Sequence, residues 1–203
     1  MTIYSNTKSA PSTRSQTGPF DQGEIGSLEG FADFGSIRIR PVDGMDIRLE
    51  VEEGSGRIVA VAVHFFESSL QLQAFAAPKT EGLWAEVRAS ILQGVKGQGG
   101  IAEERLGSFG PEIAAALPLH DEHGSETGKR SVRFVGVDGP RWFLRGMITG
   151  AATMDPAAAS LIEGVLRSVV VNRGSEPIPP RELLNLQVPP GVVTPPLTSL
   201  VQA

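Results

Sequence analysis

Apolar and polar residues alternate with a period of two through much of this chain, and that pattern dictates β-structure. Met45, Ile47, Leu49 and Val51 alternate with Asp46, Arg48 and Glu50. Successive side chains on a strand point to opposite faces, so this segment reads as a strand wet on one face. Within residues 70–77, Leu70, Leu72 and Ala74 oppose Gln71 and Gln73 in the same way. Residues 58–66 are β-branched and apolar on both faces, as a central strand is. Residues 37–42, 101–106, 132–137 and 141–149 are further strands, with 169–171 as a last edge strand. Residues 113–119 stay open, because the alanines at 114–116 suit a strand or a helix. The short connections favour antiparallel neighbours.

Two segments change to helical spacing. Trp84, Val87, Ile91, Leu92 and Val95 share one face, after Pro78 and the capping candidate Thr80, with Glu81 at the positive end. Asp155-Pro156 opens a second helix, whose buried face carries Leu161, Ile162, Val165 and Leu166. The expected class is α+β: a mostly antiparallel sheet with both amphipathic helices on one face. An internal echo bears on this plan. Ser36, Arg38, Val42-Asp43-Gly44 and Leu49 recur as Ser131, Arg133, Val137-Asp138-Gly139 and Leu144 at one fixed offset. It reads either as two hairpins with the same turn chemistry or as a duplicated strand–strand–helix unit.

The expected domain runs from residue 36 to 173. Residues 1–35 read as a disordered arm, polar and then acidic and Gly-rich, with little apolar surface to offset ordering entropy. Residues 174–203 read as an extended Pro-rich tail, with Leu183, Leu184, Leu186 and Val188 able to lie on the domain. No stretch approaches the roughly 18–20 apolar residues that cross a bilayer, and residues 1–20 lack the apolar core of a secretory signal. A cytoplasmic location is therefore expected, with no membrane partner. The absence of cysteine excludes disulfides, thiolate metal sites and cysteine nucleophiles. A net charge of −5 argues against nucleic acid as a partner.

Chemical motifs are weak. His120 and His123 are at best half of a zinc site, and His64 sits within a strand. Gly124 to Lys129 resembles a phosphate loop but has only three residues between its glycines and Arg130 where a metal-holding hydroxyl belongs. The glycines of residues 94–100 end a helix, the wrong geometry for anion binding. Ser108 lacks the spacing of a nucleophile elbow. Glu50, Glu52 and Glu53, and Asp43 with Asp46, read as strand-end and turn carboxylates. No catalytic residue, metal or cofactor is assigned.

The richest constellation is the hairpin about Asp138-Gly139, with Arg133, Arg141, Trp142 and Arg145 as candidate ligand or partner contacts. With a two-residue loop, Arg133 shares a face with Trp142, and Arg141 and Arg145 take the other. A shift of one residue puts all three arginines on one face, a basic strip for an anionic ligand. Otherwise their stems shield the sheet and pair with acids.

Three blocks carry a family resemblance: Leu70-Gln-Leu-Gln-Ala-Phe-Ala-Ala-Pro78, Arg133-Phe-Val-Gly-Val-Asp-Gly-Pro-Arg-Trp-Phe-Leu-Arg-Gly146 and Glu176-Pro-Ile-Pro-Pro-Arg-Glu-Leu-Leu184. Through them the chain resembles an uncharacterised actinobacterial family, domain of unknown function 3710, over residues 20 to 188. The resemblance implies a cytoplasmic bacterial protein and brings no activity or site residue. The layout is also similar to small bacterial chaperone or lipoprotein-type domains, at the level of fold alone. The residues favour a non-enzymatic protein-binding or adaptor domain, alone or as a homodimer. The alternative is a small-ligand or enzymatic domain that uses the Arg/aromatic hairpin beside an acid such as Glu50.

Overall fold

The alternating segments pair as their periodicity requires. In the computed structural model, which describes residues 7–190, a short helix α1 (Arg14–Thr17) leads to strands β1 (Phe20–Asp21), β2 (Ala32–Asp33), β3 (Ile37–Ile39), β4 (Met45–Val51), β5 (Ile58–Phe65) and β6 (Ser68–Ala76). Helix α2 (Trp84–Gly97) follows, then β7 (Ile101–Gly107), β8 (Gly110–His120), β9 (Glu126–Asp138) and β10 (Trp142–Gly150). Helix α3 (Pro156–Ser168) and β11 (Val170–Val171) close the order. The chain is α+β and its sheets are mostly antiparallel. Seven strands form the main sheet in the order β4-β5-β6-β10-β9-β8-β7, and β1-β11-β3-β2 form a small second sheet. Residues 114–116 lie in strand β8, opposite residues 131–133 of β9.

The main sheet consists of two meanders, β4–β6 and β7–β10, joined where their last strands pair antiparallel. Each meander is followed by a helix, and the helices lie on opposite faces rather than on the single face expected. Strand parity shows this directly. Phe143 packs with Trp84 of α2, whereas its neighbour Leu144 packs in the cluster that holds Ile162 and Leu166 of α3. Periodicity reports that a helix has one apolar face, and does not report which side of a sheet that face covers. Val95 of α2 meets Ile113 and Ala115 of β8, while α3 meets Leu70 and Leu72 of β6. The small sheet adds Ile37, Ile39 and Val171 to the α3 side, with Val169 between α3 and β11.

The internal echo does not extend to strand pairing. β9 and β10 form a hairpin, but β3 pairs with β2 and β11 in the small sheet while β4 pairs with β5. Pro41, which has no N–H to give a ladder, lies between β3 and β4. β11 is not an edge strand either; it lies between β1 and β3.

The N-terminal segment differs from expectation where the structure describes it, and the C-terminal one lies on the domain as its leucines allow. Residues 7–35, read from sequence as a disordered arm, are ordered: Phe20 pairs with Val170 in parallel, and the buried Phe34 joins the main core. Asp21 accepts the indole N–H of the fully buried Trp142 at 2.9 Å, and the Arg14 guanidinium lies over that ring. Residues 174–190 form a strap. β5 pairs with β6 only as far as Leu72. Beyond that point the strap replaces β5, with Leu184 N–H donating to the Ala74 carbonyl and Arg181 N–H to that of Ala76, both at 2.8 Å. Residues 1–6 and 191–203 of the two expected tails lie outside the described residues.

Asp138 fixes α2. Thr80 does not cap this helix, which begins at Trp84 with no side-chain cap from its own N-terminal turn. The carboxylate of Asp138, buried at the end of β9, accepts from Leu83 N–H at 2.8 Å and lies 3.5 Å from Trp84 N. Its second oxygen also accepts from Ser9 N–H at 2.9 Å. Burial pushes the Asp138 carboxyl above its ordinary range, and these N–H groups and the Lys8 ammonium pull it back. Trp84 then lies flat on Gly136, where an added Cβ would come within 2.3 Å of the ring. Asp138→Ala removes the acceptor and strands buried donors, so urea denaturation should show a loss of about 2 kcal/mol or more. An unchanged midpoint would contradict this anchoring role.

Candidate functional site

The β9–β10 register separates the candidate arginines. Arg133 opposes Ile148, four residues along from the partner that a two-residue loop provides. A shift by an even number preserves parity, so Arg133 keeps the face of Trp142 and Arg145 takes the other. Arg141 lies in the connecting loop and is exposed, its carbonyl accepting from Ala77 N–H at 3.0 Å. The basic strip does not form.

Arg133 belongs to an ion cluster beneath α3. Its guanidinium meets Glu112 at 2.9 Å and Glu163 at 2.6 Å, and Arg105 meets Glu112 at 2.7 Å. Burial works against the Arg133 charge, but the bonds to Glu112 and Glu163 outweigh it and raise its pKa. Paired charges at this depth bind β8, β9 and α3 together and leave no free donor fork for a ligand. Glu112→Gln should therefore cost about 3 kcal/mol by leaving buried charge uncompensated. Replacing Arg133, Glu112 and Glu163 together by apolar residues of similar size should recover most of that loss. A Glu112→Gln variant as stable as the parent would show the cluster to be idle.

Arg145 has a different environment. It lines a groove of about 420 Å³ between α2 and the β6–β10 pair. Phe75 and Phe143 floor the groove, stacked with ring centroids 5.9 Å apart, and Phe143 stacks on Trp84 at 5.8 Å. Leu83, Val87 and Ile91 of α2 form one wall. Arg181 of the strap and Glu86 of α2 make an ion pair of 2.6 Å at the rim. Arg145 lies over the Phe75 ring and donates to the Gln73 side-chain oxygen. Burial lowers its pKa, yet among the described residues no carboxylate forms an ion pair with it. Glu50 bonds instead to Gln71 on the same sheet face. A guanidinium remains charged in a protein and offers five N–H donors. This one is placed beside aromatic rings in an apolar groove with donors to spare.

The groove residues contributed by β6 and the strap were not singled out from sequence. Gln71 and Gln73 oppose the apolar residues Leu70, Leu72 and Ala74 of β6, and the face they share carries Phe75 into the groove. The apolar stripe of α2 was legible, but not that Val87 and Ile91 reach past the sheet contacts to wall a groove. His120 ends β8 opposite Glu126, and His123 lies in the exposed β8–β9 turn, where Asp121 accepts from His123 N–H at 2.9 Å. His64 is exposed and its Nδ1 meets Ser69 Oγ at 2.9 Å. Gly124 to Lys129 spans that same turn and the start of β9, with no helix behind it. The glycines after Val95 end α2 as expected. Among the described residues no three His, Asp or Glu side chains converge to hold a metal ion, and no helix is long and apolar enough to cross a membrane.

The fold and groove thus define an α+β domain whose mostly antiparallel sheet carries an aromatic-floored groove beside one helix. The chain belongs to the family described as protein of unknown function DUF3710, whose model matches residues 18–194. The three sequence blocks that carry the family resemblance meet at this groove, supplying Phe75, Phe143 with Arg145, and Arg181. No curated protein sequence matches the chain. Among solved structures it is similar to cyanobacterial PsbP (CyanoP) from Synechocystis sp. PCC 6803, with 12% identity, a TM-score of 0.41, and coverage of 67% of this chain and 86% of that one.

Proposed function

We propose that the chain is a non-enzymatic binding domain that holds a small amphipathic anion, an apolar body bearing one carboxylate, in the groove beside α2. The observation that carries this reading is Arg145: a charged fork facing an aromatic-floored groove without a carboxylate partner among the described residues. A planar carboxylate matches the guanidinium geometry, and the apolar body gains contact with Phe75, Phe143 and Val87. The stacked rings favour an aromatic or flat body over a branched one. The Arg181–Glu86 pair, exposed at the rim, adds selectivity rather than affinity. Of the two sequence readings, this takes up the small-ligand one through Arg145 alone and leaves Arg133 and Arg141 to the fold. The reading includes a cytoplasmic location in an actinobacterial cell, as the family resemblance implies.

Titration calorimetry with phenylacetate and its uncharged counterpart phenylacetamide tests the proposal. The acid should bind and the amide should bind far more weakly. Arg145→Gln should weaken the acid by about ten- to a hundredfold, which is about 1.5–3 kcal/mol for a charge-assisted bond. Equal binding of acid and amide, or of parent and variant, would remove the proposal.

A further inference from the structure

At the opposite end of β6 from the groove, the structure presents apolar side chains outward. Phe66, in the β5–β6 turn, is 74% exposed, Leu161 of α3 is 49% exposed and Met154, before α3, is 82% exposed. Phe66 and Leu161 line a second cavity of about 360 Å³, together with Phe65, Ala158, Glu67 and Asp155. Phe66 also has φ of +51°. A bulky residue rarely enters that left-handed region, which glycine occupies freely, so the turn spends stability to place this ring. The ring leans on Phe65, with centroids 4.7 Å apart, and points no deeper into the core. The surroundings are hydrogen-bonded together. Ala151 N–H donates to the Glu67 carbonyl at 2.9 Å, and Ala152 N–H to Ser68 Oγ at 3.0 Å. Gly150, at φ +80°, stands where an added Cβ would come within 2.2 Å of the Glu67 carbonyl oxygen, so β10 and the turn are in direct contact.

We infer that this patch is a docking surface for a segment of another protein that carries one apolar anchor, Phe, Leu or Met, flanked by lysine or arginine. The cavity takes the anchor, and Phe66 and Leu161 flank it, as large apolar side chains do at interface pockets. Charge selects the occupant. Both ionisable residues that line the cavity, Glu67 and Asp155, are acidic, on a chain of net charge −5. A second copy would set its own carboxylates against these, and an anionic membrane would be repelled in the same way. Flanking cations on the partner complete the match. The inference stands on a different surface from the ligand groove and does not depend on it.

Fluorescence anisotropy with the full chain tests it, using labelled peptides that carry a single Phe, Leu or Met between lysines, and counterparts with glutamates in place of the lysines. The parent should bind the lysine-flanked set in preference. Phe66→Gly should weaken that binding by about tenfold or more while its thermal midpoint stays the same or rises, because glycine suits the turn. Leu161→Gln, on α3, should weaken binding without touching the turn. Failure of every lysine-flanked peptide to bind, or equal binding by parent and both variants, would overturn the inference. A concentration-dependent dimer lost in Phe66→Gly would also overturn it, by making a second copy the occupant. So would binding to phosphatidylglycerol vesicles that is lost in the same variant.

Discussion

The Asp138 carboxylate joins parts of the chain that are far apart in sequence, and the geometry of the groove depends on it. One oxygen receives Leu83 N–H at the start of α2, and the other receives Ser9 N–H from the N-terminal segment. The Lys8 ammonium that this segment brings donates to the carbonyls of Pro78 at 3.1 Å and Pro140 at 3.0 Å, and to that of Gly139. The cap, the hairpin turn and the linker into α2 are thereby fixed to one another. A helix end capped from a neighbouring strand has little freedom to slide, so the space between α2 and Phe75–Phe143 keeps its width. The cost is a carboxylate buried among backbone groups, offset because its oxygens are well supplied with donors.

Much of this was legible in the residues. Period two placed β4, β5, β6, β7 and β10 within a residue or two of their ends, and 3.6-residue spacing placed both helices, whereas β8 begins at Gly110 and β9 at Glu126, three and six residues before the segments 113–119 and 132–137. Asp155-Pro156 opened α3 as read, with Asp155 accepting from Ala157 N–H at 2.9 Å. What escaped depended on partners distant in the chain. Residues 20–34 are interrupted by glycines and acids, and their order comes from β11, β3 and Trp142, with β11 and Trp142 more than a hundred residues away. The strap is held by the part of β6 that β5 abandons after Leu72, a divergence that no local pattern encodes. The side of the sheet each helix covers follows from the crossing of the connections, not from amphipathicity.

The candidate site was half legible for a related reason. Sequence drew attention to the hairpin arginines but left their register open, and the β9–β10 pairing sets Arg133 on the face opposite Arg145. Sequence did not distinguish their roles. Arg133 finds Glu112 across β8 and Glu163 on α3, so its charge is consumed in packing the fold. Arg145, two strands from those acids and on the other face, finds only Gln73 and the face of Phe75. The same residue type twelve positions apart is structural in one place and available in the other, and pairing alone decides which.

The most direct measurement is an isotope-filtered nuclear Overhauser experiment on the labelled chain with unlabelled phenylacetate. The account predicts contacts from the ligand ring to Phe75, Phe143 and Val87, with a shift of the Arg145 Nε–H resonance on saturation. Contacts confined to other surfaces, or an Arg145 resonance that does not move while ligand is bound, would contradict it.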